Sequence, residues 1–263
     1  MASAVTLRRL RTGLGVACAA GALTLQPPSL APLATLATWL ARPALMPFAW
    51  RAFDEARHHG SIDEQFVRAQ QVMRLLPTWS EGYLVFAVGF LTAQHDPAAS
   101  ANERTDDAWR RLQLALAWLE AARVDAGRRE ESLLQSLAML PTAALASEPG
   151  LAERLRPHGG AAGMADRYLA QLEARFPAAA LREQRTFQLP GVAAALLGNG
   201  QRQAALLVLQ QAIERSHDVR DRQLAAEWRQ RLQEVATHLA GEPQDLTAVF
   251  ADRRLEALYP FLR

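Results

Sequence analysis

Apolar residues recur along this chain at steps of three and four, and that spacing commits nearly all of it to helix. Strand-like alternation is absent, β-branched residues are sparse, and Ala and Leu dominate a composition that is 50% hydrophobic. A chain of this kind buries one stripe per helix, so the expected fold class is all-α.

Gly, Pro and capping residues divide the pattern into elements. A helix is expected from about Pro47 to His58, with Phe48, Ala52, Phe53 and Ala56 on one face and Gly60 as its stop. Ser61 followed by Glu64 gives a capping-box start to the next, which carries Phe66, Ala69, Val72, Met73 and Leu76 and halts at Pro77. Ser80 to about Ala93 reads as a third helix, followed by a polar loop over 94–104. Thr105, Asp106 and Asp107 open a long helix with Trp109, Leu112, Leu116 and Leu119 on its face, ending near Gly127. Another helix fits 129–145, and 149–163, with Pro157-His158-Gly159-Gly160, is the expected flexible break. Beyond it come Met164 to Phe176, a weaker helix from about Ala180, a pair over 189–216, and a charged helix from Val219 to Ala240 ended by Gly241 and Pro243.

The N-terminus has a different character. Arg8, Arg9 and Arg11 precede an apolar stretch from Thr12 to Leu25, and no acidic residue occurs before Asp54. Basic head and apolar core together suit an export or membrane-anchoring segment, with the arginines on the cytoplasmic side and the body outside the cytoplasm. At about 14 residues the stretch would run roughly 21 Å as a helix, against a hydrocarbon core of ~30 Å. The expectation is an uncleaved anchor in a bacterial inner membrane, helped by a second apolar piece from Leu30 to Leu40 at the interface. The alternatives are a cleaved signal with a periplasmic body, and a buried N-terminal helix. Trp39 is the tryptophan best placed for an interfacial role. Residues 1–46 thus form a signal or anchor with an apolar linker, and 47–263 one helical-repeat domain. Cys18, the only cysteine, lies in a faint lipobox-like context (Leu14 to Cys18) and reads as a small buried thiol, so the body has no disulfides.

Charge excludes one class of partner. Five of the 29 basic residues precede the first acid, and setting them aside leaves 24 against 27 acidic residues. A weakly acidic body does not suit nucleic acid.

Candidate chemistry is thin. Glu55-Ala56-Arg57-His58 and Glu214-Arg215-Ser216-His217 repeat the Glu-x-x-His spacing of di-iron bundles. Both histidines, however, fall at helix ends, where the helix dipole and a carbonyl partner explain them. His58-His59-Gly60 reads as a surface turn, since no Gly-x-Ser-x-Gly nucleophile accompanies it. Glu234 and His238 read as an exposed i, i+4 pair lacking the second His of a zincin. Gly159-Gly160 and Gly198-Asn199-Gly200 follow no strand and end in no Gly-Lys-Ser/Thr, so they are not phosphate cradles. The six tryptophans, at 39, 50, 79, 109, 118 and 228, read mostly as packing residues.

The segment Leu189 to Ile213 resembles a tetratricopeptide repeat. Gly200 falls at its inter-helix turn, Ala205 and Ala212 at the positions where helices approach closely, and Leu209 at the bulky position between them. An earlier unit from Trp50 through Gly60 to Pro77 is similar in its turn Gly and terminal Pro, with Gln65 and Ala69 at the small and bulky positions and its Trp shifted by one. The layout also resembles a group of bacterial proteins that carry degenerate repeats of this type behind one N-terminal anchor. The features are Leu25-Gln26-Pro27, Trp50-Arg51, Gln70-Gln71 before Leu76-Pro77, and Asn102-Glu103-Arg104 leading into Trp109-Arg110-Arg111. The resemblance implies a right-handed α-solenoid of antiparallel helix pairs that binds other proteins. It brings no catalytic, cofactor-binding or metal-binding residue.

The expected function is accordingly a non-catalytic scaffold or adaptor in a bacterial envelope complex, with protein partners, no cofactor and no small-molecule substrate. The alternatives are a structural subunit of a membrane assembly and a metal-dependent helical enzyme using Glu55, His58, Glu214 and His217.

Overall fold

The computed structural model describes residues 31–94, 98–124 and 126–262, and among these every regular element is helical. The expectations for Arg8, Arg9, Arg11, Cys18 and the apolar stretch from Thr12 to Leu25 lie outside the described residues. Contact density divides the chain into two compact units, one ending at Phe86 and the other beginning at Ala87.

In the first unit α1 (Ala31–His59) packs on α2 (Ile62–Leu75), and α3 (Ser80–Leu91) begins there. The chain is already helical at Ala31, well before the start expected near Pro47, and runs through Pro43 and Pro47. Each proline withholds one backbone donor from the helix ladder without ending the helix. Among the described residues, no helix is long and apolar enough to cross a membrane. The turn to α2 follows its sequence signals: the Gly60 N–H donates to Ala56 O at 2.8 Å, and the Glu64 N–H donates to Ser61 Oγ at 3.2 Å. Gly60 is needed there for close approach, because a Cβ would lie 2.7 Å from Ala56 O. Phe66, Ala69, Val72 and Met73 are buried as expected. Beside them Trp50, Phe53, Trp79 and Phe86 form a cluster of edge-on and tilted rings with centroids 5.0–6.4 Å apart.

In the second unit α4 (Ala101–Arg123) packs on α5 (Glu130–Ser147), and α5 packs on α7 (Gly160–Arg175) beyond the short α6 (Leu151–Leu155). Then α7 packs on α8 (Ala179–Gly198), α8 on α9 (Arg202–Glu214), and α9 on α10 (Arg222–Ala240). A last segment, α11 (Thr247–Phe250) and a 3₁₀ turn region over Arg253–Phe261, folds back onto α8. Its Val249, Leu255, Leu258 and Leu262 join Leu189, Leu209, Trp228 and Leu232 in one core cluster.

Three boundaries differ from expectation, each for a local reason. Part of the loop expected over 94–104 is helix, because Ser100 and Glu103 form a reciprocal capping box ahead of Thr105. The break expected over 149–163 instead holds α6 and a 3₁₀ turn, with Leu151 and Leu155 fully buried. The weak helix from Ala180 and the first helix of the pair over 189–216 are a single α8 running through the buried Pro190.

The end of α8 keeps the expected turn. Gly200 sits at φ +71°, the Gln201 N–H donates to Leu196 O, and the Gly200 N–H donates to Leu197 O, each at 2.9 Å. This is a Schellman closure. It reverses the chain into α9, where Ala205, Leu209 and Ala212 are wholly buried.

Candidate functional site

The second unit contains an open groove of about 550 Å³ whose walls come from α5, α6, α7, α8 and the C-terminal segment. Its floor is made by small residues. Gly160, Ala161, Ala162 and Ala165 of α7 face Gly191, Ala195 and Gly198 of α8. Gly160 has φ +70°, and a Cβ on it would lie 2.9 Å from Ala195 Cβ; one on Gly191 would lie 3.2 Å from Ala162 Cβ. The two helices meet where neither carries bulk, and Leu145, Leu155 and Phe187 supply apolar lining.

Ion pairs fix the helices that frame this floor. Arg185 of α8 donates from Nε and Nη2 to the two Asp166 carboxylate oxygens of α7 at 2.7 and 3.2 Å, and from Nη1 to Glu173 Oε2 at 3.0 Å. Arg215, just past α9, donates to Glu173 Oε1 at 2.7 Å. Burial pushes the Glu173 carboxyl up, yet Arg215 and Arg185 outweigh it and hold the group below the usual carboxylate range.

The C-terminal wall depends on Asp252. Its side chain is buried and accepts from Arg254 Nε and Nη2 at 2.8 Å each and from Arg231 Nη1 at 2.5 Å. Burial raises this carboxyl too, and the two guanidinium groups again win, leaving it below its ordinary value. Arg254 lies 5.3 Å from the Trp228 ring centre and 5.4 Å from that of Phe187, so one side chain joins α10, α8 and the groove wall.

Every ionisable side chain lining the groove is already paired: Arg156 with Glu153, and Arg254 with Asp252. Two amide oxygens are not. Gln188 Oε1 and Asn199 Oδ1 are buried without a hydrogen-bond partner. The Asn199 amide nitrogen donates to Arg156 O at 2.7 Å, which fixes its oxygen as the unused atom. Eleven residues, or three helical turns, separate the two, roughly 16 Å along α8. The groove thus has an apolar floor with two amide side chains, Gln188 and Asn199, along its α8 wall.

The residues singled out from sequence fall elsewhere. His58 Nδ1 lies 2.8 Å from Asp54 O in the last turn of α1, and His217 Nδ1 lies 2.6 Å from Glu214 O in the 3₁₀ turn that follows α9, each ring against a backbone carbonyl. The first Glu-x-x-His lies in the first unit and the second in the second. Among the described residues, no group of three or more His, Cys, Asp or Glu side chains could hold a metal ion. His58 and His59 are exposed. Glu234 and His238, expected to be exposed, are half-buried, with Glu234 Oε2 and His238 Nδ1 each lacking a partner. Trp109 stacks on His158 at 5.6 Å, and Trp228 is fully buried. Gly160, Gly198 and Asn199, from the two Gly-rich motifs, line the groove.

Some important residues carry no sequence signal. Gln188 and Arg254 belong to no motif, and their roles arise from helices meeting in space. Arg111 lies on the buried side of α4, paired with Asp107 at 2.5 Å and donating to Ala93 O at 3.0 Å.

Comparison with protein-family models, with curated proteins and with solved structures finds no match.

Proposed function

We propose that this protein is a non-catalytic adaptor that holds an extended segment of a partner protein in the groove of its second unit. The observation that carries this reading is the apolar floor of small residues, whose charged neighbours are already paired and whose α8 wall carries the amides of Gln188 and Asn199. An extended backbone advances about 3.4 Å per residue, so about five residues span the distance from Gln188 to Asn199. A helical ligand would have spent its donors internally. Every charged lining group is already paired, which favours an uncharged, apolar segment over an ionic ligand.

The wider setting of the proposal is a tetratricopeptide-like solenoid behind an N-terminal anchor in a bacterial inner membrane, with the body outside the cytoplasm. Support for the solenoid comes from the second unit, where α4, α5, α7, α8, α9 and α10 pack in succession, and from the Gly200 turn with Ala205, Leu209 and Ala212 buried. Support for the address comes from Arg8, Arg9 and Arg11 ahead of the apolar stretch.

The test is selection of peptides from a displayed random library on the full-length protein, followed by affinity measurement on Ala195→Leu, which fills the floor. Selected sequences should be short and apolar and should lose at least about tenfold in affinity for the variant, the loss of ~1.4 kcal/mol expected when contacts in a filled pocket fail. Peptides that bind Ala195→Leu as well as the natural protein would refute the groove as the site.

A further inference from the structure

The turn between α8 and α9 reads Gly198-Asn199-Gly200, and Asn199 is one of only two asparagines in the chain, the other being Asn102. An asparagine followed by glycine carries its own nucleophile. The backbone nitrogen of the glycine reaches the side-chain carbonyl carbon with no Cβ to hinder the approach. Around Gly200 the space is open, with no neighbour within 4 Å of where a Cβ would lie, and Gly198 and Gly200 are both exposed. What restrains the pair is the closure of the helix: the Gly200 N–H donates to Leu197 O and the Gln201 N–H to Leu196 O, each at 2.9 Å. A nitrogen whose proton is held there does not attack until the turn opens. Glycine on both sides of Asn199 makes that opening easier, because each regains the most backbone freedom when released. Asn102 has no such setting, since it lies in the first turn of α4 and Glu103 follows it.

The same side chain is tied into the groove. Its amide nitrogen donates to Arg156 O at 2.7 Å, which fastens the turn after α6 to the end of α8, and its oxygen is buried without a partner. Arg156 and Asn199 both line the groove. We infer that Asn199 is a site of self-modification that dismantles this end of the groove. When the turn opens, the Gly200 nitrogen gives up its proton and bonds to Asn199 Cγ. The Cγ–Nδ2 bond breaks, Nδ2 takes a proton and leaves as ammonia, and a five-membered succinimide remains. Water then adds to one of the two ring carbonyls. Addition at Cγ restores the main chain and leaves aspartate; addition at the backbone carbonyl carbon of Asn199 leaves isoaspartate, whose main chain is one carbon longer. Water is the only co-reactant. Either product replaces an amide donor by a carboxylate facing Arg156 O, so the tie becomes a repulsion, and it places a charge where the buried oxygen has no partner. Isoaspartate also lengthens the turn that leads α9, with Ala205, Leu209 and Ala212, into the core. The consequence for binding rests on the groove reading above, to which it adds a means by which the site is lost with time.

The test keeps the full-length protein warm in mildly alkaline buffer beside a free peptide of residues 194–204 and the variant Asn199→Gln. Peptide mapping by mass spectrometry locates each product, and chromatography separates aspartate from isoaspartate. Both isomers should appear at 199 and neither at 102. In the folded protein they should form at least about tenfold more slowly than in the free peptide, as local opening of a helix end requires. The isolated aged form should unfold at lower denaturant and bind groove-selected peptides at least about tenfold more weakly. Asn199→Asp should reproduce that loss without ageing, and Asn199→Gln should show no change with time. An Asn199 still intact after about a hundred half-times of the free peptide would overturn the site itself. Product formed as fast as in the free peptide would overturn the restraint assigned to the closure. An aged form with the same denaturation midpoint and the same peptide affinity would overturn the role given to the bond with Arg156. If the fresh protein selects no peptide, the groove reading fails alone, and product at 199 with a lowered midpoint still upholds the modification.

Discussion

At the scale of single residues, Asp252 is the side chain on which most depends. It is buried, it starts the C-terminal 3₁₀ region by accepting from the Arg254 N–H at 3.2 Å, and it neutralises both Arg231 and Arg254. Asp252→Asn keeps the shape and removes the charge, leaving Arg254 without its paired carboxylate and Arg231 with Glu227 alone. A loss of about 2–3 kcal/mol in chemical denaturation is expected. The pH dependence follows from the same geometry. The carboxyls of Asp252 and Glu173 are held below their ordinary values in the folded protein, so the stability they contribute is complete above the unfolded values, near 4. It is lost as pH falls from about 4 through the folded values. Acid titration followed by tryptophan fluorescence should show a transition in that window, smaller in Asp252→Asn; an unchanged acid limb in the variant would remove Asp252 from this account. None of this was legible in the sequence, where Asp252 is one acid among many. Arg111 shows the same blindness, because the carbonyl it reaches belongs to a residue 18 positions away. Gly200 was legible, because its role is set by its own backbone.

At the scale of elements, the chain announces its helices better than their joins. Ser61, Gly200 and Gly241 act where the sequence places them: Gly241 stands at φ +108° and closes α10 with the Glu242 N–H donating to Thr237 O at 3.2 Å. The start of α4 was hidden because Asn102 to Asp107 is polar throughout and the capping pair lies upstream of the acids that seemed to open the helix. The unity of α8 was hidden because Pro190 resembles a boundary, whereas burial against its neighbours outweighs the missing donor. The packing of α7 on α8 offers a comparison between two glycines of similar backbone. Gly160→Ala meets Ala195 and should cost about 1–3 kcal/mol for overpacking in addition to the ~1 kcal/mol for a left-handed alanine. Gly200→Ala has open space and should cost only the second amount. Equal thermal or denaturant shifts in the two variants would mean that α7 and α8 do not approach as closely as Gly160 requires.

At the scale of the whole molecule, all-α architecture was readable from periodicity alone, because helix formation and amphipathic burial are local properties of the pattern. The groove was not, since it needs five separated segments to converge. The one nearest the C-terminus, with α11 and the Arg253–Phe261 turns, was outside every expected element. Ending the chain after Glu242 would remove Arg254 and Ala257 from the groove wall and four leucines and Val249 from the core. Such a protein should remain helical by circular dichroism, melt earlier, and fail to retain groove-selected peptides; undiminished peptide affinity would show that this wall is dispensable. Leu262 is itself only 4% accessible. An affinity handle or fluorescent reporter inserted next to Leu262 would start from a side chain already pressed into the core. Such a handle belongs on the exposed turn at Gly127 or Gly241, where no neighbour lies within reach of an added side chain.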